Sequence, residues 1–106
     1  MILSTTHQLE GHRVSQYCGV VSGQAIFGAN VFRDMFAGIR DFFGGRAGSY
    51  EKVLRDGRDQ AIADMIEEAR KLGANAIVGI DLDYSAVGNK GSMLLVTATG
   101  TAVKAG

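Results

Sequence analysis

Ala76-Ile77-Val78-Gly79-Ile80-Asp81-Leu82-Asp83-Tyr84 alternates with a period of two: Ala76, Val78, Ile80, Leu82 and Tyr84 are apolar, and Asp81 and Asp83 fall between them. Such a period belongs to a strand, because successive side chains leave a pleated backbone on opposite faces. The turn-forming cluster Gly88-Asn89-Lys90-Gly91 follows. From Met93 to Val103 the alternation resumes, with Leu94, Val96, Ala98 and Ala102 on one face and Thr97, Thr99 and Thr101 on the other. Two half-apolar strands joined by a turn predict an antiparallel hairpin with a dry face and a wet face.

Upstream, the period changes to that of a helix. Ser49 is a capping residue, and Glu51 suits the positive end of a helix dipole. Tyr50, Val53, Leu54, Gly57, Ala61, Met65, Ala69 and Leu72 then recur along one band. Arg70 and Lys71 suit the C-terminal end, and Gly73 stops the helix. Arg58 and Glu68 fall within or at the edge of the apolar band, so each must bend its stem to solvent or pair with another element or another subunit. A shorter helix is predicted before it, capped by Asn30, with Phe32, Met35, Phe36, Ile39, Phe42 and Phe43 on one stripe and Gly44-Gly45 at its end.

The first strand is predicted from about Arg13 to Phe27, with Val14, Gln16, Cys18, Val20 and Ser22 opposite Tyr17, Gly19 and Val21. Gly19 and Gly23 mark a bulge or the close approach of another backbone. The order strand, helix, helix, strand, strand spans residues 1–106 without a linker or repeat. It predicts a single α+β domain, a small antiparallel β-α-β-β sheet covered on one face by helix. Three strands leave two edges with unpaired backbone groups, which invite pairing with another chain. The expectation is a homo-oligomer.

Composition narrows the partners. Eleven basic residues balance eleven acidic ones, whereas a nucleic-acid binder carries a basic excess to displace counterions from phosphates. A neutral surface also offers little protection against association. No stretch approaches the roughly 18 apolar residues of a membrane helix. The start Met1-Ile2-Leu3-Ser4-Thr5-Thr6 lacks a basic leader, and Cys18 is the sole cysteine, so no disulfide forms within the chain. These features predict a cytoplasmic protein with neither nucleic acid nor membrane as partner.

The residues able to carry chemistry are few. His7, His12 and Cys18 are the only imidazole or thiol donors, and their spacing matches no compact zinc pattern. A strand cysteine beside valines also reads as a small buried hydrophobe. Gly44-Gly45-Arg46-Ala47-Gly48-Ser49 leads into a helix start, which offers Gly45, Arg46 and Ser49 as an anion site. It lacks the ending of a phosphate-binding P-loop and follows a helix, so an ordinary glycine turn explains it too. No nucleophile elbow is present, and Glu67 and Glu68 are consecutive helical positions that point apart. The chain therefore reads first as a binding or scaffolding module without catalytic residues. A soft-metal-binding protein is the alternative, and an enzyme with its site between subunits is third.

Several segments together carry a resemblance: Tyr17-Cys18-Gly19-Val20-Val21-Ser22-Gly23, Gly28-Ala29-Asn30-Val31-Phe32-Arg33-Asp34, Ala37-Gly38-Ile39-Arg40-Asp41, Gly44 through Glu51, Leu72 through Gly79, and Gly100-Thr101-Ala102-Val103. In their order and coverage of nearly the whole chain, they resemble the YbjQ-like family of uncharacterised bacterial proteins, which carries a heavy-metal-binding label. The resemblance implies a dodecin-subunit-like fold and a homopentameric ring in which extra short strands help subunits join. It also implies a soft metal ion as ligand, without assigning ligand positions.

Overall fold

The computed structural model describes residues 1–28, 48–88 and 93–106. Among them are β1 (Ile2–Leu3), β2 (Val14–Phe27), α1 (Gly48–Lys71), β3 (Ala76–Val87) and β4 (Met93–Ala105). The strands form one mixed sheet in the order β1-β3-β4-β2. β4 is antiparallel to both β3 and β2, as a hairpin with a long crossover requires, and β1 lies parallel to β3. The helix predicted from Asn30 to Phe43 lies outside the described residues, as does the turn Asn89-Lys90-Gly91.

The expected sheet of three antiparallel strands is corrected to four strands of mixed direction. β1 is only two residues long, too short to display a period, and its partners Ala76 and Ile77 stand far away in the chain. The N-terminal segment continues along the same edge beyond β1. Ser4 N–H donates to Ile77 O, Gly79 N–H to Thr6 O, and Ile80 N–H to Ser4 O. A short strap thus covers the first half of β3.

Helix α1 packs on one face of the sheet, and the core forms there. Ala61, Met65 and Ala69 are buried against Val21, Ala25, Val96, Ala98 and Ala102, with Ile62 and Ile66 half-buried beside them. The predicted band of α1 is thus confirmed through Gly57, Ala61, Met65 and Ala69. Leu72 is instead exposed, and the band widens to include Ile62 and Ile66. The helix approaches the sheet closely because Gly23 has no side chain. A Cβ there would stand 2.0 Å from Ala61 O and 2.6 Å from Met65 N. Gly57 serves the same contact from the helix side, where a Cβ would meet the Phe27 ring at 2.7 Å and Val96 at 2.9 Å.

Irregularities in register, between Val14 and Gln16, Tyr17 and Gly19, and Val78 and Asp81, redraw the predicted faces. Val78 pairs with Thr101 and Asp81 with Thr99, so Gly79 and Ile80 together oppose Gly100. The extra residue, with Gly79 at φ 62°, reverses the alternation. Ile77 consequently joins Ile80 and Leu82 on the helix side, while Ala76 and Val78 pack on the other face with Val103, Ala105 and Leu9. On β2, Tyr17 pairs with Val103 and Gly19 with Ala102, which leaves Cys18 as the inserted residue. Cys18 therefore packs against the helix-side core, apart from Val20 and Ser22.

Asn75 ties the end of the crossover to the last strand. Its side-chain amide donates to Ala105 O at 2.7 Å, and its side-chain oxygen accepts from Ala105 N–H at 2.8 Å. Each such partly buried bond contributes about 1 kcal/mol net. Asn75→Ala is therefore expected to destabilise the fold by about 2 kcal/mol, read as a shift of the urea midpoint at unchanged slope.

Candidate functional site

The predicted metal donors do not converge within the chain. His7 lies over the β3 bulge, where a methyl on Gly79 would stand 3.6 Å from its Nδ1. His12 is exposed in a tight turn, its backbone N–H donating to Leu9 O at 3.0 Å. Cys18 is half-buried on β2, with β4 between it and β3. Two strand spacings separate β3 from β2, about 10 Å, whereas ligands of one zinc ion each stand about 2.0–2.3 Å from it. Among the described residues no group of three or more His, Cys, Asp or Glu side chains is placed to hold a metal ion. The donors among the described residues of one chain therefore do not make a soft-metal site. Of the anion candidates, Gly45 and Arg46 lie outside the described residues. Helix α1 opens at Gly48, which places Ser49 in its first turn.

The open face of the sheet, away from α1, is laid out in rows. Asp81, Thr99 and Ser22 form one row, and Asp83, Thr97 and Gln24 the next. Flanking this polar centre, Tyr17 is 73% exposed, Val20 79% and Ile26 64%. Values this high for large apolar residues on one strand contrast with the neighbouring β4, where Val96 and Val103 are fully buried.

Along the outer side of β2 runs an open groove of about 420 Å³, lined by Ser22, Gly23, Gln24, Asp64, Glu67, Glu68 and Lys71. Glu68 reaches round the strand here, and its Oε2 accepts from Ser22 N–H at 3.2 Å. A carboxylate accepting from a backbone donor is a charge-assisted bond. Glu68's awkward place on the helical wheel was the signal for this contact; its partner, a backbone group on a distant strand, left no mark in the residue pattern. Arg58, the other misplaced charge, pairs with its neighbour Asp59 at 3.0 Å. Across the sheet, a smaller apolar notch of about 180 Å³ lies between the N-terminal strap, Ile62, Ile80 and Leu82.

What this arrangement offers chemically is backbone pairing and side-chain contact. Both ends of the sheet present edges: β2 along its outer side, and β3 beyond the strap. No described helix is long and apolar enough to cross a membrane.

A family model described as "Putative heavy-metal-binding" matches residues 1–106, the whole chain. Among solved structures, the chain is similar to a protein of unknown function of the DUF74 family from Pediococcus pentosaceus ATCC 25745. The two superimpose with a TM-score of 0.67 over 98% of this chain and 96% of the other, at 17% sequence identity. At that identity the likeness establishes a shared fold.

Proposed function

The chain belongs to the YbjQ family, and from that premise we propose that it is a cytoplasmic subunit of a homo-oligomeric binding or scaffolding module. One observation carries the reading. β2 is a 14-residue strand at the edge of the sheet that bears Tyr17, Val20 and Ile26 in solvent. A long edge with apolar side chains is a template for another chain. The described residues span 51 × 28 × 16 Å, which supports it: the shortest dimension is the depth of one sheet with one helix layer, so among the described residues much of the sheet's other face lacks a covering layer.

The expected result is a native mass several times 11.2 kDa by light scattering at micromolar concentration. The pentamer implied by the family is the size to look for. A mass of one chain across that range would remove the proposal.

The family's description favours a second reading, binding of a soft metal. A ring would gather one Cys18 from each subunit around its axis, and this supplies the convergence that a single chain lacks. The prediction is stoichiometric uptake of zinc or copper(I) against a weak chelator, lost in Cys18→Ser. Uptake unchanged by that substitution, or absent in the parent, retires the thiol site. An enzyme with its site between subunits ranks third, since no described cluster of side chains supplies a nucleophile with its base.

A further inference from the structure

β2 closes one side of the sheet, with β4 as its strand partner among the described residues. Ser22 lies opposite Thr99 of β4, yet its N–H turns away from that strand and donates to Glu68 Oε2 at 3.2 Å. Backbone groups alternate in direction along an antiparallel ladder. The N–H and C=O groups of Val20, Gln24 and Ile26 therefore face the outside as those of Ser22 do. Ser22 stands inside this outward row, and its donor is taken by a side chain of α1.

The position of that bond gives it a consequence. Val20 and Ile26 are exposed on the same strand, and a long apolar edge with free backbone groups is where strands of further chains stack without limit. An added strand has to seat a carbonyl on each outward N–H, at about 2.9 Å. At Ser22 the Glu68 carboxylate already occupies that place. Asp64 and Glu67 line the same groove, with Lys71 beside them. A strand laid along residues 22–24 would also strip water from these carboxylates, which is costly unless it pairs them.

We propose that Glu68 guards the β2 edge: while its carboxylate holds Ser22 N–H, no strand of another chain pairs continuously along residues 20–26. The edge is thereby divided into two short runs. A neighbour still reaches Tyr17 on one side and Ile26 on the other, so the guard permits a closed oligomer and prevents open-ended strand stacking. The inference does not depend on the self-association proposed above; it concerns what the edge excludes.

Three single variants separate the bond from the charge. Glu68→Ala removes the guard, and Glu68→Gln leaves an oxygen acceptor within the same reach. Glu67→Ala takes a carboxylate from the same groove and leaves the Ser22 bond in place. At micromolar concentration Glu68→Ala is expected to grow past the parent's native mass by light scattering and to bind thioflavin T, a dye that reports stacked strands. Glu68→Gln and Glu67→Ala should keep the parent's mass and stay dye-negative. Adding Ser22→Pro to Glu68→Ala should stop the growth, because proline offers no N–H and is tolerated on an edge strand where that group faces outward. Growth that persists in this double variant would come from loss of the fold and overturns the inference. A Glu68→Ala protein that keeps the parent's mass overturns it too, as does equal growth in Glu68→Gln or Glu67→Ala. Growth is scored against the parent, so a parent mass of one chain removes the self-association proposed above without deciding the guard.

Discussion

Gly23→Ala should lower the melting temperature by about 12–24 °C. The single added methyl would lie 2.0 Å from Ala61 O, 2.6 Å from Met65 N and 2.9 Å from Asp64 Cβ. Overpacking a core ordinarily costs about 1–3 kcal/mol. Here the cost falls at the upper end or beyond, because two of the three atoms are helix backbone and cannot swing aside. A loss of about 3 kcal/mol corresponds to the stated shift at roughly 4–8 °C per kcal/mol for a domain of this size. Gly28 is the control. A methyl there meets nothing within 4 Å, and Gly28→Ala should stay within about 0.5 kcal/mol of the parent. Circular dichroism melting curves on both variants decide the matter. Equal melting would mean that α1 lifts freely from β2 and that its close seating does not stabilise the fold.

Met65→Ala probes the same contact by removing atoms instead of adding them. Met65 is fully buried and is, among the described residues, the largest of the fully buried side chains. Truncation of such a residue costs about 2–5 kcal/mol, the lost transfer energy plus a term for the cavity left behind. The expected value is about 3 kcal/mol, read as the change in urea midpoint. The two substitutions should not rescue one another. The methyl at Gly23 strikes the backbone N of Met65, and shortening the thioether leaves that nitrogen in place. Recovery of stability in the double variant would show that the side chain, and not the helix backbone, sets the spacing.

The residue pattern conveyed the layers of the fold well and the joints poorly. Ala61, Met65 and Ala69 announced the buried side of α1 because helical spacing repeats them every turn. Gly23, an apparent interruption of a strand, marked the place where another backbone comes near. The faces of β3 were misread because a bulge at Gly79–Ile80 shifts the alternation by one residue, and a single glycine does not state whether it inserts or merely spaces. β1 escaped notice because two residues have no period. The candidate site shows the same divide. Glu68 declared itself by standing on the wrong side of its helix, yet its partner at Ser22 is a backbone N–H, identical in every non-proline residue. His7, His12 and Cys18 were conspicuous by type, and type alone carried no information about their mutual distance.

The strand pairing also bears on how the polypeptide is made. β2 pairs with β4, Val14 opposite Ala105, and β1 pairs with β3. β2 therefore has no partner strand until the ribosome has delivered β4. During synthesis Tyr17, Val20, Val21 and Ile26 wait as an unpaired apolar tract, which is the kind of segment chaperones engage. Such dependence on distant contacts places folding on the order of milliseconds to seconds. Premature termination before Met93 removes the strand that both β2 and β3 lean on, so truncated translation products should be cleared by proteases and should not accumulate as folded fragments.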